Sequence, residues 1–142
     1  MPLLKIVHKY RHFAVAILLA IPFLFPSCEK VEGPGGKATI IGKIMQIDID
    51  IEANGDTTVE ASYYIPDENV YLIYGNNTIY DDDVKTNFDG SYKFEYLRNG
   101  NYTLYAYTEC DQATDICPVF KEVNIDKGDR VVNVDDIVIY NK

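Results

Sequence analysis

Carboxylates are the functional groups this chain offers in greatest number. Its 142 residues hold 22 Asp and Glu against 13 Lys and Arg, a formal net charge of −9. Two acidic groups stand out by their spacing. Asp48, Asp50 and Glu52 alternate with isoleucines, with Glu60 across a nearby turn, and Asp81, Asp82 and Asp83 are consecutive. Acids gathered in this way form a solvated face, hold a Ca²⁺ ion, or meet a basic partner. Neither group has the D-x-D-x-D-G spacing with a distal Glu that makes a calcium loop. Paired carboxylates also hydrolyse glycosides, but no cleft or supporting residues are recognisable around these. The rest of the chemistry is sparse. From residue 28 onward there is no His and no Trp, the only serines are Ser62 and Ser91, and the only cysteines are Cys28, Cys110 and Cys117. A Ser-His-Asp triad, a Cys-His pair and a His-ligated metal are therefore excluded. The expectation is a non-catalytic chain without a cofactor, Ca²⁺ being the one ion left open. The acid excess also argues against nucleic acid, whose phosphates need clustered Lys and Arg.

Tyrosine is the second abundant group, with 12 Tyr against 6 Phe. Alternation turns Tyr102, Leu104 and Ala106 to one side of a strand and Thr103, Tyr105 and Tyr107 to the other. Tyr105 and Tyr107 are expected outside, beside Tyr71 or Tyr140. Such tyrosines half-bury their rings in strand packing, stack on sugar rings, or anchor a protein interface. Tyr102, two residues after Gly100, is placed to bury its ring and bond its hydroxyl to nearby backbone as a corner tyrosine. Asp56-Thr57-Thr58 resembles an O-glycosylation sequon of bacterial exported proteins, with Thr57 as acceptor.

The N-terminus reads as an address. A basic start at 1–12 precedes the apolar run FAVAILLAIPFLF at 13–25, and Pro26-Ser27-Cys28 follows. A basic segment, a short apolar segment and a small residue at the cut describe a secretory signal peptide. The run is shorter than the roughly 20 residues of a spanning helix; the alternatives are an anchor or a buried core helix. Phe25-Pro26-Ser27-Cys28 resembles a bacterial lipobox, although Phe25 and Pro26 depart from the usual Leu and small residue. The resemblance implies a leader at 1–27 and a lipid on Cys28, which would hold the protein to the membrane. The acids Glu29 and Glu32 just behind Cys28 resemble export signals of Gram-negative surface lipoproteins, which implies the outer membrane of the cell envelope. Residues 28–36, with Gly33-Pro34-Gly35-Gly36, are expected to form a flexible tether. With Cys28 lipidated, Cys110 and Cys117 remain as a pair in an oxidising compartment, at the mouth of one expected hairpin. A disulfide is expected, two free thiols being the alternative.

From Lys37 onward the apolar period is two. Tyr, Ile, Val and Thr suit pleated, half-buried surfaces. Turn signals separate candidate strands at 38–52, 57–64, 69–74, 78–86, 91–97, 101–108, 116–125 and 130–140. Seven or eight short strands without a helix predict an all-β chain, a single antiparallel Greek-key β-sandwich over 37–142. In the first hairpin, a loop of Asn54-Gly55-Asp56 would set Ile51 opposite Val59, Ile49 opposite Ala61 and Ile47 opposite Tyr63. The other face would gather Asp48, Asp50, Glu52 and Glu60, with Asp50 facing Glu60, a repulsive pair. Gly90 is read as the positive-φ residue of a tight hairpin turn after Asp89.

Three motifs then carry a family resemblance. Ile40-Ile41-Gly42-Lys43-Ile44 resembles the "I-x-G-x-I/V" opening strand of carboxypeptidase-regulatory-like domains. Thr86 to Phe94 is similar to that group's "T-x-x-x-G-x-Y-x-F", and Leu97 to Ala106 to its "L-x-x-G-x-Y-x-L-x-A". The motifs run in the family's order and, with the closing strand, span about 38–140. The resemblance implies a seven-stranded transthyretin-like (prealbumin-like) sandwich that serves as an accessory folding or binding unit with no shared catalytic residues. Hydroxyisourate hydrolases, the enzymatic relatives of transthyretin, use His and Arg, so their activity does not carry over to a domain without His. Taken together, the residues point to a lipid-anchored binding or scaffolding module whose partner is an envelope protein or a glycan. In the second case the outward tyrosines and the acidic hairpin would make the surface.

Overall fold

The computed structural model describes residues 31–110 and 115–142. The expected leader at 1–27, the lipid site Cys28 and the first residues of the expected tether lie outside them. Nine strands follow in order: β1 (Pro34–Ile51), β2 (Thr57–Tyr64), β3 (Asn69–Tyr74), β4 (Asp82–Lys85), β5 (Ser91–Leu97), β6 (Gly100–Glu109), β7 (Ile116–Ile125), β8 (Val131–Asn133) and β9 (Ile137–Asn141). They make a β-sandwich of two sheets. One is the antiparallel array β4-β3-β6-β7. The other is built on β1, whose first half pairs with β5 and second half with β2. β8 and β9 run parallel to the same β1, so this sheet is mixed and not antiparallel throughout.

The expected strand at 130–140 is thus two strands with a break between them. Asn133 sits opposite Ile41 and Ile137 opposite Ile44. Val134, Asp135 and Asp136 must therefore fit against Gly42 and Lys43, and the surplus residue bulges. Asp136 in that bulge accepts a hydrogen bond from the Tyr64 hydroxyl at 3.0 Å.

Alternation explains the core, save at the end of β5, where Tyr96 takes a positive φ of 60° and Leu97 is buried in its place. Ala38, Ile40 and Ile44 of β1, Tyr92, Phe94 and Leu97 of β5, and Ile137 and Ile139 of β9 face Val70, Leu72, Tyr102, Leu104, Ala106, Val123 and Ile125 of the second sheet. Each large apolar side chain so buried contributes about 1.5–3 kcal/mol against remaining in water. Gly42 lies directly opposite Tyr92. A Cβ there would overlap the Tyr92 hydroxyl, so Gly42 makes room for the Tyr92 ring.

The chain changes sheet between β2 and β3, β4 and β5, β5 and β6, and β7 and β8. Gly90 does take a positive φ of 73°. Its turn, however, carries the chain from one sheet to the other and does not close a hairpin within a sheet. Gly33 to Gly36 also differ from expectation. The Gly33 amide donates to the Tyr102 hydroxyl at 2.9 Å, its carbonyl accepts from the Arg98 amide at 2.9 Å, and Pro34 begins β1 opposite Leu97. A glycine-rich segment read as a free tether is held because glycine lets the backbone lie against β5. A Cβ on Gly36 would overlap the Leu97 carbonyl.

Candidate binding surface

The outward face of the second sheet carries a cluster of aromatic rings. The register places Tyr71 opposite Tyr105 and Tyr105 opposite Phe120, one residue from each of β3, β6 and β7. Tyr71 and Tyr105 stack with centroids 4.8 Å apart and planes 17° from parallel. Tyr107, two residues along β6, meets both edge-on at 5.7 and 5.6 Å. Tyr80, from the loop before β4, tilts onto Tyr71 at 4.9 Å, and Phe120 onto Tyr105 at 5.5 Å. Tyr105 is buried at the centre, while Tyr80, Tyr107 and Phe120 are 46%, 38% and 56% exposed around it. Such pairs add about 0.5–1.5 kcal/mol each beyond their buried area, so the rings hold one another in place.

Burial, followed by the neighbouring Tyr107, pushes the Tyr105 phenol up to about 12. Burial also raises Tyr71, helped by Tyr107, Tyr80 and the acids Asp83 and Glu68. These two phenols remain neutral at physiological pH, giving a surface of apolar ring area with uncharged hydroxyls. Asp83 lies opposite Tyr71 and Glu122 opposite Thr103, at the margin of the same face.

The expectation that Tyr105 and Tyr107 point outward beside Tyr71 is met. Tyr140 lies on β9 in the other sheet. Tyr80 and Phe120 were missed as members. The alternation of Phe120 with Val119 marks it as outward, but nothing local brings a loop residue such as Tyr80 over the sheet.

The acidic hairpin is elsewhere, and its register is corrected. The loop is Ala53-Asn54-Gly55: the Gly55 amide donates to the Glu52 carbonyl at 2.8 Å, and Glu52 and Asp56 close the ladder. Gly55 has φ 88°. A three-residue loop needs its positive φ at the last position, which selects glycine there and shifts the turn back by one residue. Ile51 then faces Thr57, Asp50 faces Thr58 and Ile49 faces Val59. Glu60 falls in a bulge, after which Asp48 faces Ala61 and Ile47 faces Ser62. The repulsive Asp50–Glu60 pair does not form.

Ile47, Ile49 and Ile51 lie on the face of β1 away from the core. Asp48 continues the row of Ile44 and Gln46, in which Gln46 is buried. Its carboxylate accepts from Gln46 Nε2 at 2.7 Å and Asn141 Nδ2 at 3.1 Å. Those bonds, Gln46 first, hold its pKa below the ordinary carboxylate value. Asp48 therefore ties β1 to β9. Asp50, Glu52, Glu60 and Thr57 are exposed. The acids and the rings, expected to share a surface, stand on different sheets. Among the described residues no three His, Cys, Asp or Glu side chains come together as a metal-holding group.

Of the second acidic run, Asp81 is structural. Its carboxylate accepts from the Tyr74 amide at 2.8 Å and from Asn77 Nδ2 at 2.8 Å, shaping the loop that delivers Tyr80. Cys110 and Cys117 form the expected disulfide, with Cα atoms 5.6 Å apart at the end of the β6–β7 hairpin. Tyr102 is the expected corner tyrosine: its hydroxyl donates to the Arg98 carbonyl at 2.8 Å and accepts from Gly33.

The chain matches no protein-family model and none of the curated proteins. Among solved structures, it is similar to a proposed carbohydrate binding protein from Pseudomonas aeruginosa. The identity is 14% and the TM-score 0.40, over 83% of this chain and 98% of that one.

Proposed function

We propose that this chain is a non-catalytic, lipid-anchored binding module of the Gram-negative cell envelope, related to the carboxypeptidase-regulatory-like domains, and that its ligand is a glycan. The observation that carries the ligand is the ring cluster of Tyr71, Tyr80, Tyr105, Tyr107 and Phe120. Flat apolar rings edged by neutral hydroxyls suit a sugar, whose C–H faces stack on aromatic surface while its hydroxyls exchange hydrogen bonds. The lipid anchor rests on the residues around Cys28.

Two measurements test this. On a glycan array, the full chain should retain at least one glycan class, and Tyr80→Ala and Tyr107→Ala should each weaken it about tenfold, the equivalent of ~1.4 kcal/mol. Tyr140→Ala, an exposed tyrosine on the other sheet, should leave retention unchanged. No retention, or equal weakening by Tyr140→Ala, rejects the glycan. Separately, metabolic labelling with a clickable fatty acid should tag the wild type and leave Cys28→Ala untagged. Equal labelling of both rejects the anchor.

A further inference from the structure

At the end of the sandwich where the chain enters, β1 makes a local detour. Pro34 and Ala38 both lie opposite Leu97. Gly35, Gly36 and Lys37 therefore loop out of the ladder. They wall a cavity of about 410 Å³ together with Arg98 and Asn99 from the β5–β6 turn and Gly128 to Arg130 from the turn before β8. The construction is held from several sides. The Arg98 amide donates to the Gly33 carbonyl and the Thr39 amide to the Arg130 carbonyl, both at 2.9 Å. Tyr102 clamps the Arg98 carbonyl from inside the core.

The lining has a charge opposite to that of the protein. In a chain of net charge −9, this cavity collects Lys37, Arg98 and Arg130. Arg98 and Arg130 are the arginines of the described residues. Elsewhere Lys43, Lys85 and Lys93 are paired with Asp89, Asp67 and Glu95. No described carboxylate forms such a pair with Lys37, Arg98 or Arg130. The one acid in the lining, Asp129, turns its carboxylate to the Asp126 amide at 2.8 Å. Arg98 gives Nη1 to the Val31 carbonyl at 3.3 Å, and its Nε is buried without a hydrogen-bond partner among the described residues. Three like charges brought together repel one another, and a bound anion removes that cost. Glycines in the wall let an anion approach the backbone closely, and guanidinium groups suit tetrahedral oxyanions.

We infer that this cavity binds a phosphate group, carried by a lipid headgroup or free in solution. Three cations against one carboxylate leave two net positive charges, which match a phosphate monoester dianion or inorganic phosphate. The site is separate from the ring surface. β6 starts at the cavity and reaches Tyr105 and Tyr107 only in its second half, so glycan binding and phosphate binding succeed or fail independently.

The test is an amide ¹H–¹⁵N NMR titration of the full chain in polyoxyethylene detergent micelles, at constant ionic strength set with chloride. Inorganic phosphate is one probe and micelles doped with phosphatidic acid, whose headgroup is a phosphate monoester, are the other. Gly35, Gly36 and Gly128 signals should shift and saturate in the millimolar range of phosphate. Arg130→Gln and Lys37→Gln, both exposed positions, should each weaken binding about tenfold, while Lys121→Gln, outside the cavity, should not. The same signals shifting with doped micelles and reversed by phosphate assign the source to a lipid headgroup. A response to inorganic phosphate alone assigns it to a soluble one. No saturable shift with either probe, or unchanged affinity in both Arg130→Gln and Lys37→Gln, overturns the site.

Discussion

Gly42→Ala is expected to lower folding stability by about 3 kcal/mol, at the upper end of the cost of overpacking a core. Gly42 stands between Ile40 and Ile44 on the inward face of β1, directly opposite Tyr92, and the Tyr92 ring fills the space a side chain would take. Tyr92 is 1% exposed and its hydroxyl has no hydrogen-bond partner among the described residues. A buried unpaired hydroxyl costs rather than stabilises. Tyr92→Phe should therefore be neutral or raise stability by up to about 1 kcal/mol. It also removes the atom nearest the new methyl group, so the double variant should lose at least ~1 kcal/mol less than the two single effects added.

The same phenol gives the pH dependence a sign. Burial, with a smaller effect from Asp136, pushes the Tyr92 pKa far above its ordinary value of 10.0. Above pH 10 the unfolded chain releases that proton and the folded chain keeps it. Stability then falls as pH rises, and it should fall less steeply in Tyr92→Phe. Urea midpoints of the four forms at pH 7 and at pH 10 to 11 decide the matter. Additive losses, or a Tyr92→Phe variant destabilised by more than 1 kcal/mol, would show that the hydroxyl has a partner and that the glycine serves another purpose.

The second large effect is expected from the disulfide. Opening the eight-residue loop from Cys110 to Cys117 with a double Ser replacement should cost about 2.5 kcal/mol by the loop-entropy relation, or roughly 10 °C in Tm for a domain of this size. The bridge lies beside the ring surface. Cys117 is opposite Thr108, and Pro118 is opposite Tyr107. Glycan retention should weaken together with stability, since Tyr107 then sits on a frayed hairpin end. Reductant applied to the wild type should reproduce the Tm shift and leave the double Ser variant unaffected. A loss below 0.5 kcal/mol would mean that the ladder and the Cys110 amide bond to the Asp115 carbonyl, at 2.8 Å, already hold the loop closed.

What could be read along the chain was what neighbouring residues decide together. Alternation located the strands because successive side chains of a strand point to opposite faces. Four strands, at 57–64, 69–74, 91–97 and 116–125, match the expected ranges at both ends. The corner role of Tyr102, the outward direction of Tyr105 and the Cys110–Cys117 bridge each depend on a few adjacent positions or on one hairpin.

The hairpin at 52–56 shows where local reading fails. Moving the turn by one residue changed every pairing, and the choice rested on which loop position accepts a positive φ. The same shift set Asp50 opposite Thr58 and so separated it from Glu60, the acid that the expected register had placed face to face with it. Sheet membership lay further still from the sequence. Nothing near Gly90 shows that its turn leaves one sheet for the other, or that the last strands run parallel to the first, because those pairings join distant segments. The five-ring cluster needs β3 beside β6 and a loop folded over both. The basic cavity needs Lys37, Arg98 and Arg130, three isolated residues in an acidic chain, brought to one end of the sandwich. Composition and periodicity thus determined that this is a β protein with outward tyrosines and a stapled hairpin. Only the tertiary structure decided which rings touch and where the positive charges gather, because both follow from strand pairing between segments far apart in the chain.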